Sequence, residues 1–292
     1  MMTQGENHSI DLRSWLETLE KHGELRRISA EVDWREEIGA VARINLSLDG
    51  PGLLFENIRD HKHTRCTKFL TGTLGNRRQV CLLLGLPTDT PDKAIIQHLR
   101  ACYRRGIPPV EVATGPVKTH KLAGADLDLG EFPVPHWHHL DGGRFIDTFC
   151  GVVTRNPKNG QMNVGIYRGQ VIAPDKIGKL LIPTQHWGSH FAEHRETSSP
   201  MPVAVVHGWH DVLPFCAGSP FPKGICEYDM MGAILGRPVE LVRCETSDLL
   251  IPASAEIVIE GTIDPNPATF EMEGPFGEYP GYAGGTPSPK PV

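Results

Sequence analysis

The pair Asn159-Gly160 closes the stretch NPKNG between two runs of strand length, FIDTFCGVVTR and MNVGIYRGQVI. Both residue types accept positive φ cheaply, as a tight reversal between strands requires, so the pair predicts an antiparallel hairpin. Further strands read from MPVAVVHGW, PVELVRCE and SAEIVIEGTI, with one helix, EYDMMGAILG, among them. Many strands and few helices from residue 113 to 292 point to an antiparallel sheet or barrel. Residues 1–112 have a different texture. Leu12, Trp15, Leu16 and Leu19 recur at helical spacing before Gly23, and REEIGAVARINLSL is a second amphipathic helix. ELRRISAEV, GPGLLFENI and RQVCLLLGLP are runs of strand length, and Thr90-Pro91-Asp92 starts a helix over DKAIIQHLRACYRRG. The chain is therefore read as α+β: an N-terminal α/β domain over 1–112, then a strand-rich domain over 113–292. The Pro-rich RRGIPPVEVATGPVK is the expected linker. The final GYAGGTPSPKPV reads as a loop without a closing element, so the expectation is a piece of a longer protein.

Composition narrows the function classes. Seven cysteines are scattered and never form CxxC, which fits reduced thiols in a cytosolic protein better than a disulfide framework or zinc knuckle. A net charge of -6 without a basic run argues against a nucleic-acid partner. No segment approaches the ~20 apolar residues of a membrane span, and the opening MMTQGENHSI lacks the apolar stretch of a signal peptide.

Five stretches could carry chemistry. In MNVGIYRGQ, Arg168 lies in an otherwise apolar run, either on a polar face or buried against a partner. Asn163 and Arg168 are five apart, so a regular strand would send them to opposite faces. A shared site would need a bulge or a strand end. His186 and His190 have helical i, i+4 spacing, a weak metal signal. The PHWHH cluster at 135–139 reads as a loop with imidazoles bonded to backbone. Glu227 stands at a helix start, where it either caps the helix, worth roughly 0.3–1 kcal/mol, or ligates a metal. Last, EGPFGEYPGY crowds Glu273 and Glu278 around a Gly-Pro-Phe-Gly insert. Two carboxylates in unlike surroundings beside one arginine are the usual preparation for general acid chemistry.

Taken in order, NVGIYRGQV, PTQHW, EYDMMGAILG, IPASAEIVIEG and EGPFGEYPGY resemble the UbiD family of prenylated-flavin-dependent (de)carboxylases, as do DLRSWLETLEKHGELRRISAEVD and FPVPHWHHLDGGRFIDT. The resemblance implies that the second domain is a flavin-reductase-like split β-barrel. It places the family's catalytic Glu-Arg-Glu set on Glu273, Arg168 and Glu278, with Glu273 holding Arg168 and Glu278 as the acid. It places divalent-metal ligands on Asn163, His186 and Glu227, and the flavin-holding segment on Asn163, Val164, Gly165, Ile166, Tyr167 and Arg168 with Gln185, His186 and Glu227. It further implies prenylated FMN with Mn2+ or Mg2+ and K+, an aromatic, heteroaromatic or α,β-unsaturated carboxylic acid as substrate, and CO2 as product. A flavin prenyltransferase as cofactor supplier, a homo-oligomeric parent, a cytoplasmic location and a C-terminal domain beyond this chain belong to the same expectation. The alternatives are a non-catalytic flavin-binding or assembly protein, and a metal-dependent hydrolase using Asn163, His186 and Glu227 with a carboxylate base.

Overall fold

The computed structural model describes residues 11–222, 224–278 and 280–292, so MMTQGENHSI and Tyr279 of EGPFGEYPGY lie outside the described residues. Helix α1 (Leu12–Lys21) begins at Asp11, whose carboxylate accepts the Ser14 N–H at 2.9 Å, satisfying one of the donors that a helix start leaves open. After it come β1 (Leu25–Ile28), α2 (Glu37–Ser47), β2 (Gly52–Phe55) and β3 (Phe69–Thr71). β2 pairs in parallel with β1 and antiparallel with β3.

RQVCLLLGLP, expected as a strand, is instead helix α3 (Arg77–Leu83). Its start is set by Asn76, which accepts the Gln79 N–H while Gln79 reaches back to the Asn76 N–H. An apolar run that buries on several sides carries no period, and here the capping box decides. Helix α4 (Asp92–Tyr103) follows as expected, but Thr90 does not cap it. Its hydroxyl bonds Pro87 O at 2.6 Å, and Pro91 stands at the cap. The expected linker is not free either. It forms β4 (Val110–Glu111), and Ile107, Val110 and Val112 donate to Asp229, Val239 and Leu241 carbonyls.

The hairpin forms where Asn159-Gly160 predicts it. β5 (Gly151–Arg155) and β6 (Met162–Gly165) pair antiparallel with Arg155 opposite Met162, and Asn156 Oδ1 accepts from Lys158 and Asn159 in the turn. The remaining elements are β7 (Gly169–Ala173), β8 (Lys176–Lys179), α5 (His186–Glu196), β9 (Met201–His207), α6 (Val212–Ala217), α7 (Glu227–Leu235), β10 (Glu240–Arg243), β11 (Leu250–Pro252), β12 (Ile257–Ile263), β13 (Glu271–Glu273), β14 (Phe276–Gly277), β15 (Ala283–Gly284) and β16 (Ser288–Lys290). Two helices, α5 and α6, thus accompany α7 where one was expected. The final segment is paired rather than loose: β16 runs antiparallel to β13, and Pro291 O accepts from Lys179 N at 2.9 Å.

The central sheet has the order β12-β9-β5-β6, a second is β11-β10-β4, and β7-β8, β13-β16 and β14-β15 are two-stranded. Among the described residues no sheet closes on itself, so the architecture is a mixed α/β fold of several small sheets. The largest core draws Trp15, Leu19, Leu82 and Leu83 from the N-terminal helices together with Val206, Tyr228 and Leu241. Trp15 Nε1 donates to the buried Asp211 at 2.8 Å, fastening α1 to this core. No helix among the described residues is long and apolar enough to cross a membrane.

One buried ionic cluster fixes the start of β7. Asp147, fully buried, accepts from the Lys179 ammonium, and His207 Nε2 lies 3.1 Å from its other oxygen. Burial pushes the Asp147 carboxyl up, but Lys179 and His207 outweigh it and hold it below the ordinary carboxylate value. Gly169 touches this carboxylate, and any Cβ there would strike Asp147 Oδ2. Asp147→Asn therefore leaves Lys179 buried without a counter-charge and is expected to cost about 3–5 kcal/mol, measured as a lower urea midpoint at unchanged m. Because its folded value is depressed, the wild-type contribution is complete above roughly pH 4. It fades as pH falls through the lower folded value.

Candidate active site

Arg168 does not lie within a strand. β6 ends at Gly165 and pairs with β5, whereas β7 starts at Gly169 and pairs with β8, so residues 166–168 form a break between two sheets. The expectation of a continuous apolar strand is corrected here, and with it the objection from five-residue spacing, since alternation does not cross a break. The break lets Arg168 turn toward the C-terminal loop. Its Nε and Nη2 donate to the two oxygens of Glu273, each at 2.9 Å, and Nη1 donates to Glu278 Oε1 at 2.9 Å. The Glu273 side chain is 0% exposed, that of Arg168 14% and that of Glu278 46%. Glu273 closes β13, and Glu278 follows the Gly-Pro-Phe-Gly segment, so the insert brings both carboxylates onto one guanidinium. The Phe276 ring lies 5.7 Å from Arg168 Cζ and packs on Phe145.

The second group lies at the other end of the same segment. Asn163, buried in β6, has its Oδ1 2.9 Å from His186 Nδ1, and its Nδ2 donates to Tyr167 Oη at 3.3 Å. Glu227 accepts the Val164 N–H at 2.9 Å, and burial raises its carboxyl above the ordinary value despite that bond. Asn163, His186 and Glu227 line one cavity of about 260 Å³ with Ser189, His190 and Glu193. His186 and Glu227 are the first residues of α5 and α7, so two helix N-termini open on this cavity. Such ends carry partial positive charge and unpaired N–H groups, the arrangement that receives phosphate. Among the described residues no three His, Cys, Asp or Glu side chains come close enough together to hold a metal ion by themselves. The available set is an amide oxygen, an imidazole and a carboxylate, which suits a harder divalent ion better than a thiolate site does.

The other expected residues are more scattered. Val164 turns its side chain into the core and offers the site only its backbone N–H. Gly165 is buried and Ile166 partly buried. Tyr167 stacks on Trp187 with ring centroids 4.3 Å apart and planes 7° from parallel. Gln185 is exposed at the α5 cap and makes no capping bond. His190, the i+4 partner of His186, sits 3.0 Å from Thr154 Oγ1. In PHWHH, His136 Nε2 lies 3.0 Å from Asp141 O and Trp137 donates to Phe145 O, the backbone bonding that was expected, but the His138 and His139 rings face the carboxylates of Asp141 and Glu36, each at 3.4 Å, instead.

Residues 109–292 match the model of the 3-octaprenyl-4-hydroxybenzoate carboxy-lyase Rift-related domain, and residues 16–99 match the N-terminal domain of the same carboxy-lyase. The chain belongs to the UbiD family. It is 34% identical over 290 residues to a pyrrole-2-carboxylic acid decarboxylase of Pseudomonas aeruginosa, covering 97% of this chain and 58% of the relative. It is 35% identical over 288 residues to a phenolic acid decarboxylase of Bacillus subtilis, covering 96% and 59%. An evolved dimeric form of the UbiD-class enzyme HmfF from Pelotomaculum thermopropionicum, solved in complex with prFMN, superposes with a TM-score of 0.86 at 34% identity, over 96% of this chain and 63% of that one. The chain thus spans about three fifths of the length of these relatives, 58%, 59% and 63%.

The pairing of Arg168 with Glu273 is testable by stability alone. Arg168→Met leaves Glu273 buried without its fork and is expected to cost about 3–5 kcal/mol. Replacing both residues, as Arg168→Met with Glu273→Leu, is expected to cost clearly less than the sum of the two single changes. Denaturant unfolding of the two singles and the double checks this, and strict additivity would show that the pair is not coupled.

Proposed function

We propose that this chain carries the acid–base and cofactor-phosphate elements of a prenylated-FMN-dependent carboxy-lyase that reversibly decarboxylates an aromatic, heteroaromatic or α,β-unsaturated carboxylic acid. The observation that carries the reading is the single guanidinium held between a buried carboxylate and a half-exposed one. Three of the five Arg168 N–H donors are taken by Glu273 and Glu278, leaving one on each terminal nitrogen. Those two are suited to a substrate carboxylate. Glu273 keeps the fork in place, and Glu278 supplies or removes the proton at the carbon that loses CO2.

The cavity fits the phosphate end of the cofactor. Two helix N-termini would receive the phosphate, but Glu227 would repel it unless a cation lay between them. Asn163 and His186 complete the ligand set for Mn2+ or Mg2+, and a K+ ion beside it would add to the neutralisation. When bound, the prenylated flavin supplies the electron sink for departure of CO2. Tyr167, Gln185 and the backbone of Val164, Gly165 and Ile166 form the wall between the phosphate end and Arg168. We also read the small sheets around this wall as a split barrel over 113–292, preceded by an α/β domain over 1–112. A flavin prenyltransferase as supplier of the cofactor, a homo-oligomeric whole protein and a cytoplasmic location complete the proposal.

In the cofactor-loaded protein, Glu278→Gln is expected to lower turnover by about 10²–10⁴-fold while the cofactor stays bound. CO2 release and exchange of substrate hydrogen for deuterium both report it. Undiminished exchange would remove Glu278 from the proton-transfer step.

A further inference from the structure

The loop holding Glu278 is gripped by residues outside the Glu-Arg-Glu set. Asp141, whose side chain is 0% exposed, accepts the Gly277 N–H at 2.7 Å with Oδ1 and the His138 N–H at 3.0 Å with Oδ2. His138 Nδ1 lies 3.4 Å from Oδ2, and the His138 ring packs on Phe276. Gln170, also buried, accepts the Gly274 N–H at 2.7 Å and donates to Gly142 O at 3.0 Å. Between these two bonds Gly142 N donates to Pro275 O at 2.7 Å. The two loops touch backbone to backbone, and a Cβ at Gly142 would collide with Gly274 O.

We propose that Asp141 and Gln170 are positioning residues that set where Glu278 meets Arg168; this rests on the reading of Glu278 as the acid. The carboxylate of Glu273 is fixed by its strand and by the guanidinium. Glu278 is half exposed and has one hydrogen bond to Arg168, so its own contacts constrain it less. Its backbone closes a local turn, with Glu278 N donating to Tyr282 O and Gly281 N donating to Glu278 O, each at 2.8 Å. That turn is anchored to the 138–143 loop through the residue before it, Gly277, tied to a buried charge. An N–H bonded to an ionised carboxylate is roughly twice as strong as a neutral pair, and at a buried site losing it leaves both groups unsatisfied. Gln170 does the same at the front of the loop and, as the second residue of β7, links that loop to the strand that follows Arg168. Asp141 and Gln170 thus bracket the segment 274–277 from its two ends, one from the 138–143 loop and one from the Arg168 strand. Loosening either bracket lets Glu278 drift while Arg168 remains held by Glu273.

The test compares Asp141→Ala and Gln170→Leu with the wild type and with Glu278→Gln. Hydrogen–deuterium exchange of the chain is read over residues 274–278 and over α1 as an unaffected reference. Exchange in 274–278 is expected to rise about tenfold in each variant, with α1 unchanged. In the cofactor-loaded protein kcat is expected to fall by about 10²-fold, the cost of a misplacement near 1 Å, with KM within about twofold because Arg168 still binds the carboxylate. Either variant, folded by circular dichroism, that keeps wild-type exchange in 274–278 or wild-type kcat overturns the proposal, as does a rise in KM that matches the fall in kcat. If Asp141→Ala does not fold, Gln170→Leu decides by the same readings. If Glu278→Gln retains full turnover, the acid assignment fails by itself, while the exchange data still judge the grip on the loop.

Discussion

A carboxylate with no exposure cannot be left ionised without a partner, and Glu273 meets that condition through one guanidinium. At 2.9 Å and an effective dielectric near 20 the attraction is roughly 6 kcal/mol. That is of the same order as the several kcal/mol that desolvating each ion costs. The pair therefore adds little net stability; what it determines is position. Arg168 meets the Glu273 carboxylate edge-on with two donors, from a position between two strands rather than within one. The break at 166–168, the Asp147–Lys179 cluster behind Gly169 and the folded-back segment 274–278 all serve that approach.

The same break joins the two halves of the site. Asn163 is the second residue of β6, three residues before the break, and it contacts both His186 and Tyr167. Tyr167 sits inside the break beside Arg168 and is held flat by Trp187. A short piece of chain thus reaches from the two helix N-termini to the guanidinium. Its geometry at one end depends on α5 and α7, and at the other on β7 and β13.

Elements whose signals are local could be read from the sequence. The Asn159-Gly160 turn, the heptad-like spacing of Leu12, Trp15, Leu16 and Leu19, and the helix over 227–235 all appear where residue types demand them. RQVCLLLGLP was illegible because its period is hidden by burial, and only the Asn76–Gln79 capping box distinguishes it. The Pro-rich segment near 110 and the tail near 288 look like loops because their strand character comes from partners more than a hundred residues away for β4 and from β13 for β16. At the site, the resemblance grouped Arg168, Glu273 and Glu278, and the structure brings these three together. Asp141, Gln170 and Trp187 carried no signal of their own. Each acts through a tertiary contact, and the DGG after His139 marks only that two backbones approach closely.

The unequal exposure of the two carboxylates supports unequal tasks. Glu273 spends both oxygens on Arg168 and is closed off from solvent, so a proton has no path to it that leaves the pair intact. Glu278 gives one oxygen to Nη1 and stands half in solvent, the more open of the two carboxylates. Such exposure would ordinarily let a loop carboxylate wander by more than proton transfer tolerates, which requires about 2.6–3.2 Å between heavy atoms. A residue that must be both accessible and placed is best fixed by its backbone rather than its side chain. The bonds to Gly274 and Gly277 do that, and they leave the Glu278 carboxyl itself uncovered.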